Sequence, residues 1–364
     1  MSFFNKIKSP DTLEEAIARR KRQSSISDKT RKELQDKVNI TRDEKVHVNY
    51  LDARTAGTND AVLSVLRRAM LVKTYAKVIA CLEKNESPND SMNYTDELLM
   101  ENMIDHLKKK PKYQQSNINY FPSVSHFFEF LDKLKEGSGQ GVIKMSLKGR
   151  LDNSHFCALE YRIVQGRKYV VFFESARLQG TTEAGTDHGV KLLRELSLKH
   201  FKNEMPTMAY IEMDVQRSAS DCAIYALYTA SHLHACVKYM DFVFDEIKKM
   251  PVNRTRTLGA NICYLYWKHA SNILHASSKF VTVPPLSLFK HMQSVTTMKK
   301  LTDELIEKHK ADTAGKGNMA EKLQRRTGLY AVERESPHKK GRMLSISTSI
   351  EHKRKKLYEA LLTE

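Results

Sequence analysis

Three residue types that together move acyl groups stand at informative places in this chain. Cys222 closes the run Gln216-Arg217-Ser218-Ala219-Ser220-Asp221-Cys222, which follows the β-type stretch from Met208 to Val215 and opens an apolar helical stretch. A cysteine at a helix start lies among unpaired amides at the positive end of the helix dipole. Both favour thiolate over thiol, and thiolate is the nucleophile. Gln216, six residues upstream across a tight loop, can add its side-chain amide to the Cys222 backbone N–H as an oxyanion hole. His155 starts one β-type run, and Glu174 ends another, Tyr169-Val170-Val171-Phe172-Phe173-Glu174. A carboxylate accepting from one imidazole nitrogen fixes the tautomer and leaves the other nitrogen as base toward Cys222. Singly, each also reads as structure: a small buried cysteine, a packing histidine, a solvated strand end.

These residues need a hairpin and a helix to position them. The runs His155 to Val164 and Tyr169 to Glu174 flank Gln165-Gly166-Arg167-Lys168 and predict a β-hairpin. Alternation puts His155 and Glu174 on one face. A two-residue turn at Gly166-Arg167 would oppose Glu174 to Leu159, four residues from His155; closer approach needs a turn nearer Val164-Gln165 or a bulge. Helical spacing of Ala223, Ala226, Leu227, Ala230, Leu233 and Val237 predicts a helix from about Asp221 to Tyr239. Upstream, helices are predicted from Asp60 to Leu82, from Thr95 to Lys108 and from Val124 to Lys135. Gly137-Ser138-Gly139 reads as a turn, Gly141 to Leu147 as a strand, and the region 190–202, after a glycine-containing loop, as a helix. A helical pair is expected around Asn261 to Leu274, and a basic helix from Ile350 to Leu362.

Composition bounds the rest. The 364 residues carry a net charge of +17, and 41% are hydrophobic, enough for a sizeable core with affinity for polyanions. Five cysteines without a Cys-x-x-Cys pair argue against a disulfide framework. His232, His234 and Cys236 do not share one helical face, so no metal site is expected. No apolar run is long enough for a membrane span. Residues 1–55 are polar, with the basic run Arg19-Arg20-Lys21-Arg22, and read as a disordered arm. Residues 290–364 hold seventeen Lys/Arg against ten Asp/Glu.

His155, Glu174 with its context Phe173-Glu174-Ser175-Ala176, and the Gln216-to-Cys222 run resemble the His, Glu and Gln-Arg-Ser-x-Ser-Asp/Glu-Cys motifs of the YopJ family of bacterial type III-secreted effector acetyltransferases. Phe289-Lys290-His291-Met292-Gln293-Ser294 and Leu344-Ser345-Ile346-Ser347 with the final helix are similar to its C-terminal segments. Ala223 replaces the usual Gly after the cysteine. The resemblance implies an α+β fold: a ubiquitin-like-protease-type core, a central mixed sheet flanked by helices, with an added helical regulatory lobe. It divides the chain into an arm, 1–55, serving secretion and translocation, a catalytic core with regulatory helices, 56–285, and a basic segment, 286–364, completing the lobe. It implies Ser/Thr/Lys acetyltransfer from acetyl-CoA through a Cys222 acyl-enzyme, with His155 as base and Glu174 as its orienter. Inositol hexakisphosphate would be the activator, with Arg67, Arg68, Lys73, Arg342, Lys353 and Arg354 as candidate contacts and Lys290 as an autoacetylation site. Acceptors would be eukaryotic host kinases or immune-signalling proteins in the host cytoplasm, with no DNA partner. Two alternatives stay open: an isopeptidase acting on ubiquitin-like proteins, and a non-enzymatic basic scaffold binding polyanions.

Overall fold

The fold is built on one long hairpin. In the computed structural model, residues 60–88, 90–146, 154–176, 196, 199–201, 206–213, 215–218, 220–249, 262–266, 285–309, 316–336 and 339–364 are described. The 1–55 arm, the basic run within it and most of the predicted 190–202 helix lie outside them. Strands β3 (Ser154–Val164) and β4 (Arg167–Glu174) are antiparallel, pairing Val164 with Arg167 and Ala158 with Phe173. The turn is Gln165-Gly166, one residue earlier than the pairing first considered, and both residues have positive φ, 51° and 79°. That geometry matches the right-handed strand twist, and glycine supplies it without strain. Tyr169 to Glu174 are all buried, as expected of a β-branched and aromatic strand covered on both faces.

Around this hairpin a six-stranded mixed sheet runs in the order β1 (Ile118–Phe121), β2 (Gly137–Ser146), β3, β4, β5 (Thr207–Glu212), β6 (Ile262–Tyr266). The pairs β1–β2, β4–β5 and β5–β6 are parallel; β2–β3 and β3–β4 are antiparallel. Two expectations are corrected here. Gly137-Ser138-Gly139 is the start of β2, not a turn: a Cβ at Gly139 would meet the Tyr161 hydroxyl at 2.6 Å, and one at Gly141 the Phe121 ring at 2.6 Å. These glycines permit close packing within a strand. Ile262–Tyr266, read as helical, is the strand β6; the remainder of that predicted pair lies outside the described residues.

Both sheet faces are covered. On one, Ile143, Cys157, Leu159, Val170 and Phe172 meet Phe127, Phe128 and Leu131 of a helix, Val124–Lys133. Ser123 caps that helix, accepting from the His126 N–H at 3.2 Å, as N-cap serines do. On the other, Phe156, Ala158, Val171, Phe173 and Ile211 meet a central helix, Cys222–Leu233, of which only His232 is not buried. In chain order the helices are α1 (Asp60–Lys84), α2 (Asp90–Leu98), α3 (Met100–Lys108), α4 (Val124–Lys133), α5 (Cys222–Leu233), α6 (Val237–Lys248), α7 (Val295–His309), α8 (Lys316–Leu329) and α9 (Ser349–Thr363). The helix expected over Thr95–Lys108 is two, parted at Leu99, and the one expected to reach Tyr239 ends at Leu233 and restarts at Val237.

The helices before the sheet and the C-terminal segment form one layer. Leu71, Tyr75 and Val78 of α1 share a core with Ile350, Leu357, Tyr358 and Leu361 of α9. Arg68 donates to the Leu362 carbonyl at 2.6 Å, Tyr75 to Glu359 at 2.8 Å, and Glu364 meets both His106 and Lys109. A hairpin of β7 (Ala331–Ser336) and β8 (Lys339–Ser347) stands beside α7 and α8.

Candidate active site

The hairpin register decides what surrounds Glu174. With Ala158 opposite Phe173, the residue facing Glu174 is Cys157, and His155 is the next residue on that face. His155 Nε2 lies 2.5 Å from Glu174 Oε2. The same oxygen accepts from the Tyr210 hydroxyl at 2.8 Å and the Cys157 thiol at 3.2 Å, and Oε1 accepts from the Ala176 N–H at 2.8 Å. Tyr210 arrives because β5 runs parallel to β4 and pairs Tyr210 with Phe172. Cys157 and Tyr210 were not anticipated as site residues; the detectable signal was that Cys157 sits two residues after His155 and so shares its face.

Glu174 has no exposed surface, and its burial alone would raise its pKa; the His155 charge and hydrogen bonds from His155, the Ala176 N–H and Tyr210 reverse this and hold it below the usual carboxylate range. Burial pulls His155 down, but the Glu174 charge and hydrogen bonds with Cys157, Cys222 and Glu174 carry it well above the usual value. Cys157, desolvated and beside the Glu174 charge, is pushed up to about 12 and stays a neutral donor. His155, Cys157 and Glu174 are also one group of ligand atoms within 4.8 Å of one another. Their donors converge on one carboxylate oxygen, so a hydrogen-bonded cluster accounts for them without an ion.

Cys222 is the first residue of α5, is buried, and is one of the groups that raise the His155 pKa. Its thiol also lies 3.6 Å from Oδ1 of Asn93, on α2. Since Nε2 of His155 faces Glu174, Nδ1 is the nitrogen left for the sulfur. Gln216 is tied into the loop it begins: Nε2 donates to the Ser218 carbonyl at 2.5 Å, and Oε1 accepts from Ser175 at 2.6 Å.

Two C-terminal residues hold that loop from outside. Gln293 Oε1 accepts from the Arg217 and Ser218 N–H groups at 2.5 and 2.9 Å, and its Nε2 donates to Asp221 Oδ2 at 2.7 Å. The chain thus uses Gln293 of the Phe289-to-Ser294 motif as a brace. Arg354, wholly buried, donates to Asp221 Oδ1 at 2.5 Å, to the Ser220 carbonyl at 2.6 Å and to Asp96 Oδ2 at 2.8 and 3.0 Å. Tyr358 donates to the other Asp96 oxygen at 2.5 Å. Arg354, expected as a polyanion contact, has its guanidinium engaged here by two buried carboxylates and a carbonyl.

Lys353, the next residue back, lies in a different setting. It is brought to about 8 by burial and by the charges of Lys110, Lys112, Lys290 and Lys356. Burial, Arg326 and Lys112 likewise lower Lys290. Among the described residues no carboxylate pairs with Lys110, Lys112, Lys290 or Lys353. Of the other basic candidates, Lys73 on α1 and Arg342 on β8 are exposed, and Arg67 and Arg68 are half-buried.

A mixed sheet that joins a strand-start histidine to a strand-end carboxylate, beside a cysteine opening a buried helix, defines the cysteine-protease-like α+β class. The family model described as "YopJ Serine/Threonine acetyltransferase" matches residues 71–360. The chain belongs to this family. It is 25% identical over 126 residues to the serine/threonine-protein acetyltransferase YopJ of Yersinia pestis, a match spanning 34% of this chain and 41% of that protein. Its fold is similar to a structure of AvrA delL154 with IP6 and CoA, with TM-score 0.54 and 19% identity over 80% of this chain and 97% of that one. It is also similar to HopZ1a in complex with IP6 and CoA, with TM-score 0.56 and 15% identity over 91% of this chain and 98% of that one. No described helix is long and apolar enough to cross a membrane.

Proposed function

We propose that this chain is an acetyl-CoA-dependent Ser/Thr/Lys acetyltransferase that works through a Cys222 acyl-enzyme, delivered by a bacterium into a host cell to acetylate kinases or other immune-signalling proteins. The observation that carries the reading is the 2.5 Å contact between His155 and Glu174 beside a helix-opening cysteine, in a chain of an acetyltransferase family. Glu174 holds the His155 ring with Nε2 toward itself, so Nδ1 takes the Cys222 proton. The thiolate attacks the thioester carbonyl, and His155 returns the proton to the departing CoA thiol. An acceptor hydroxyl or amine then gives its proton to His155 and takes the acetyl group. Gln216 and the Cys222 backbone N–H are the groups suited to the oxyanion. The 56–285 core would carry this chemistry and the 286–364 segment would brace it.

The AvrA and HopZ1a structures contain IP6 and CoA. The cluster of Lys110, Lys112, Lys290, Arg326 and Lys353 fits inositol hexakisphosphate as an activator here, because a dense anion relieves the mutual repulsion that depresses Lys353 and Lys290. Lys290 in this cluster remains the candidate for autoacetylation. Intact-protein mass spectrometry after incubation with acetyl-CoA tests the reading: a 42-Da-type acetyl adduct should form with inositol hexakisphosphate present and be absent in Cys222→Ala. Cleavage of a ubiquitin-like conjugate without any acetyl adduct would replace acetyltransfer with isopeptidase activity.

A further inference from the structure

We propose that Asn93, on helix α2 outside the sheet, is a catalytic residue whose side-chain amide touches the reacting sulfur in both of its states. This rests on the reading of Cys222 as the nucleophile. The Cys222 thiol lies 3.6 Å from Asn93 Oδ1, a normal distance for a sulfur donor, and Asn93 is 6% exposed. Asparagine is a poor helix former, and an amide is costly to bury without a partner. A packing role at this position would suit leucine or methionine better, as at the adjacent and fully buried Met92.

The chemistry asks for a group that both accepts and donates. As a thiol, Cys222 has a proton to give, and Oδ1 takes that hydrogen bond. Once His155 has taken the proton, the sulfur is acceptor only. A half-turn of the carboxamide then presents Nδ2–H in the place of Oδ1. Asn93 exchanges no proton itself: the S–H proton goes to His155 Nδ1 and later to the leaving thiol. The other charged groups around the sulfur are His155 and Glu174 from the sheet, and Asp221, Arg354 and Asp96 paired with one another behind the loop. Asn93 and Asp96 are one turn apart on α2, so a single helix both meets the sulfur and anchors the arginine that holds its loop.

The test is the rate of iodoacetamide alkylation at Cys222 against pH, followed by peptide mass spectrometry on the full chain without acetyl-CoA. Asn93→Asp, which can only accept, should move the midpoint upward by about one pH unit, as a like charge beside a thiolate does. Asn93→Ala should shift it in the same direction by less. In the acetyl-transfer assay, Asn93→Ala should lower kcat roughly tenfold with KM little changed, a smaller loss than removal of a full oxyanion-hole donor. Alkylation profiles of Asn93→Ala and Asn93→Asp that superimpose on that of the unaltered protein would overturn the proposal; if Asn93→Asp does not fold, Asn93→Ala decides. A protein that transfers no acetyl group would defeat the proposed function, while the alkylation profile would still decide the role of Asn93.

Discussion

At the residue scale, Glu174 is the centre of the site. Glu174→Gln should lower acyl-enzyme formation by about 10³-fold or more, because a neutral amide neither fixes the imidazole nor stabilises its charged form. Cys222→Ala and His155→Ala should abolish the acetyl adduct, and Cys222→Ala should leave the Tm near that of the unaltered protein. Tyr210→Phe removes one of the Glu174 donors and should slow the reaction by a smaller factor in the same assay. The raised His155 pKa contributes stability that is present below the unfolded value and is lost as pH rises through the folded one. The lowered Glu174 pKa contributes stability that is present above 4.5 and is lost as pH falls through the folded value. Stability of the unaltered protein should therefore fall at both ends of a pH-resolved denaturation series, and Glu174→Gln should flatten both limbs. His155, Glu174 and Cys222 were legible because each ends or begins an element, and the motif around Cys222 is dense. Cys157 and Tyr210 were not, because their parts depend on hairpin register and on a parallel strand pairing that sequence spacing does not supply. Asn93 reaches the sulfur only through the docking of α2, a tertiary event.

At the element scale, the loop from Gln216 to Asp221 is shaped less by its own residues than by α9 and the segment before α7. Asp221 occupies the N-cap position of α5 yet makes no cap hydrogen bond; its carboxylate serves Arg354, Gln293 and Ser218 instead. Arg354→Ala leaves Asp96 and Asp221 buried without their cation, which costs about 3–5 kcal/mol. For a chain of this size the Tm should fall on the order of 10 °C by differential scanning fluorimetry. Gln293→Ala strips the brace from two backbone N–H groups and should cost less stability than activity. The strands and the final helix could be read from alternation and helical period. The break at residues 234–236 and the division at Leu99 could not, since the apolar pattern runs through both while tertiary packing separates the helices. The glycines of β2 misled for a related reason: what they accommodate, the Tyr161 hydroxyl and the Phe121 ring, lies far from them in sequence.

At the scale of the whole molecule, Lys110 and Lys112 after α3, Arg326 of α8 and Lys353 of α9 form a cluster of positive charge with Lys290. Lys353, at about 8, is a cation the fold disfavours. A lowered lysine pKa costs stability at pH below 8, and the cost is relieved as pH rises from about 8 toward the ordinary lysine value. Inositol hexakisphosphate should restore the charge, so binding near pH 8 should take up protons. Isothermal titration in buffers of different ionisation enthalpy would show that uptake, and affinity should weaken as pH rises through that range. Lys353→Ala should reduce both the uptake and the ligand-induced rise in Tm, which for the unaltered protein is set by mass action.

The bond between Arg354 and the residue before Cys222 also imposes an order in time. The loop that presents the sulfur is closed by a side chain made 133 residues after its last residue, Asp221, so its contacts form late in synthesis or in refolding, and such long sequence separations slow folding. A nascent chain holds the sheet, the hairpin and Cys222 itself, yet lacks the clasp that sets them. The setting of Cys222 is therefore complete only with α9, and a chain interrupted anywhere before it carries the cysteine without the side chain that holds its loop.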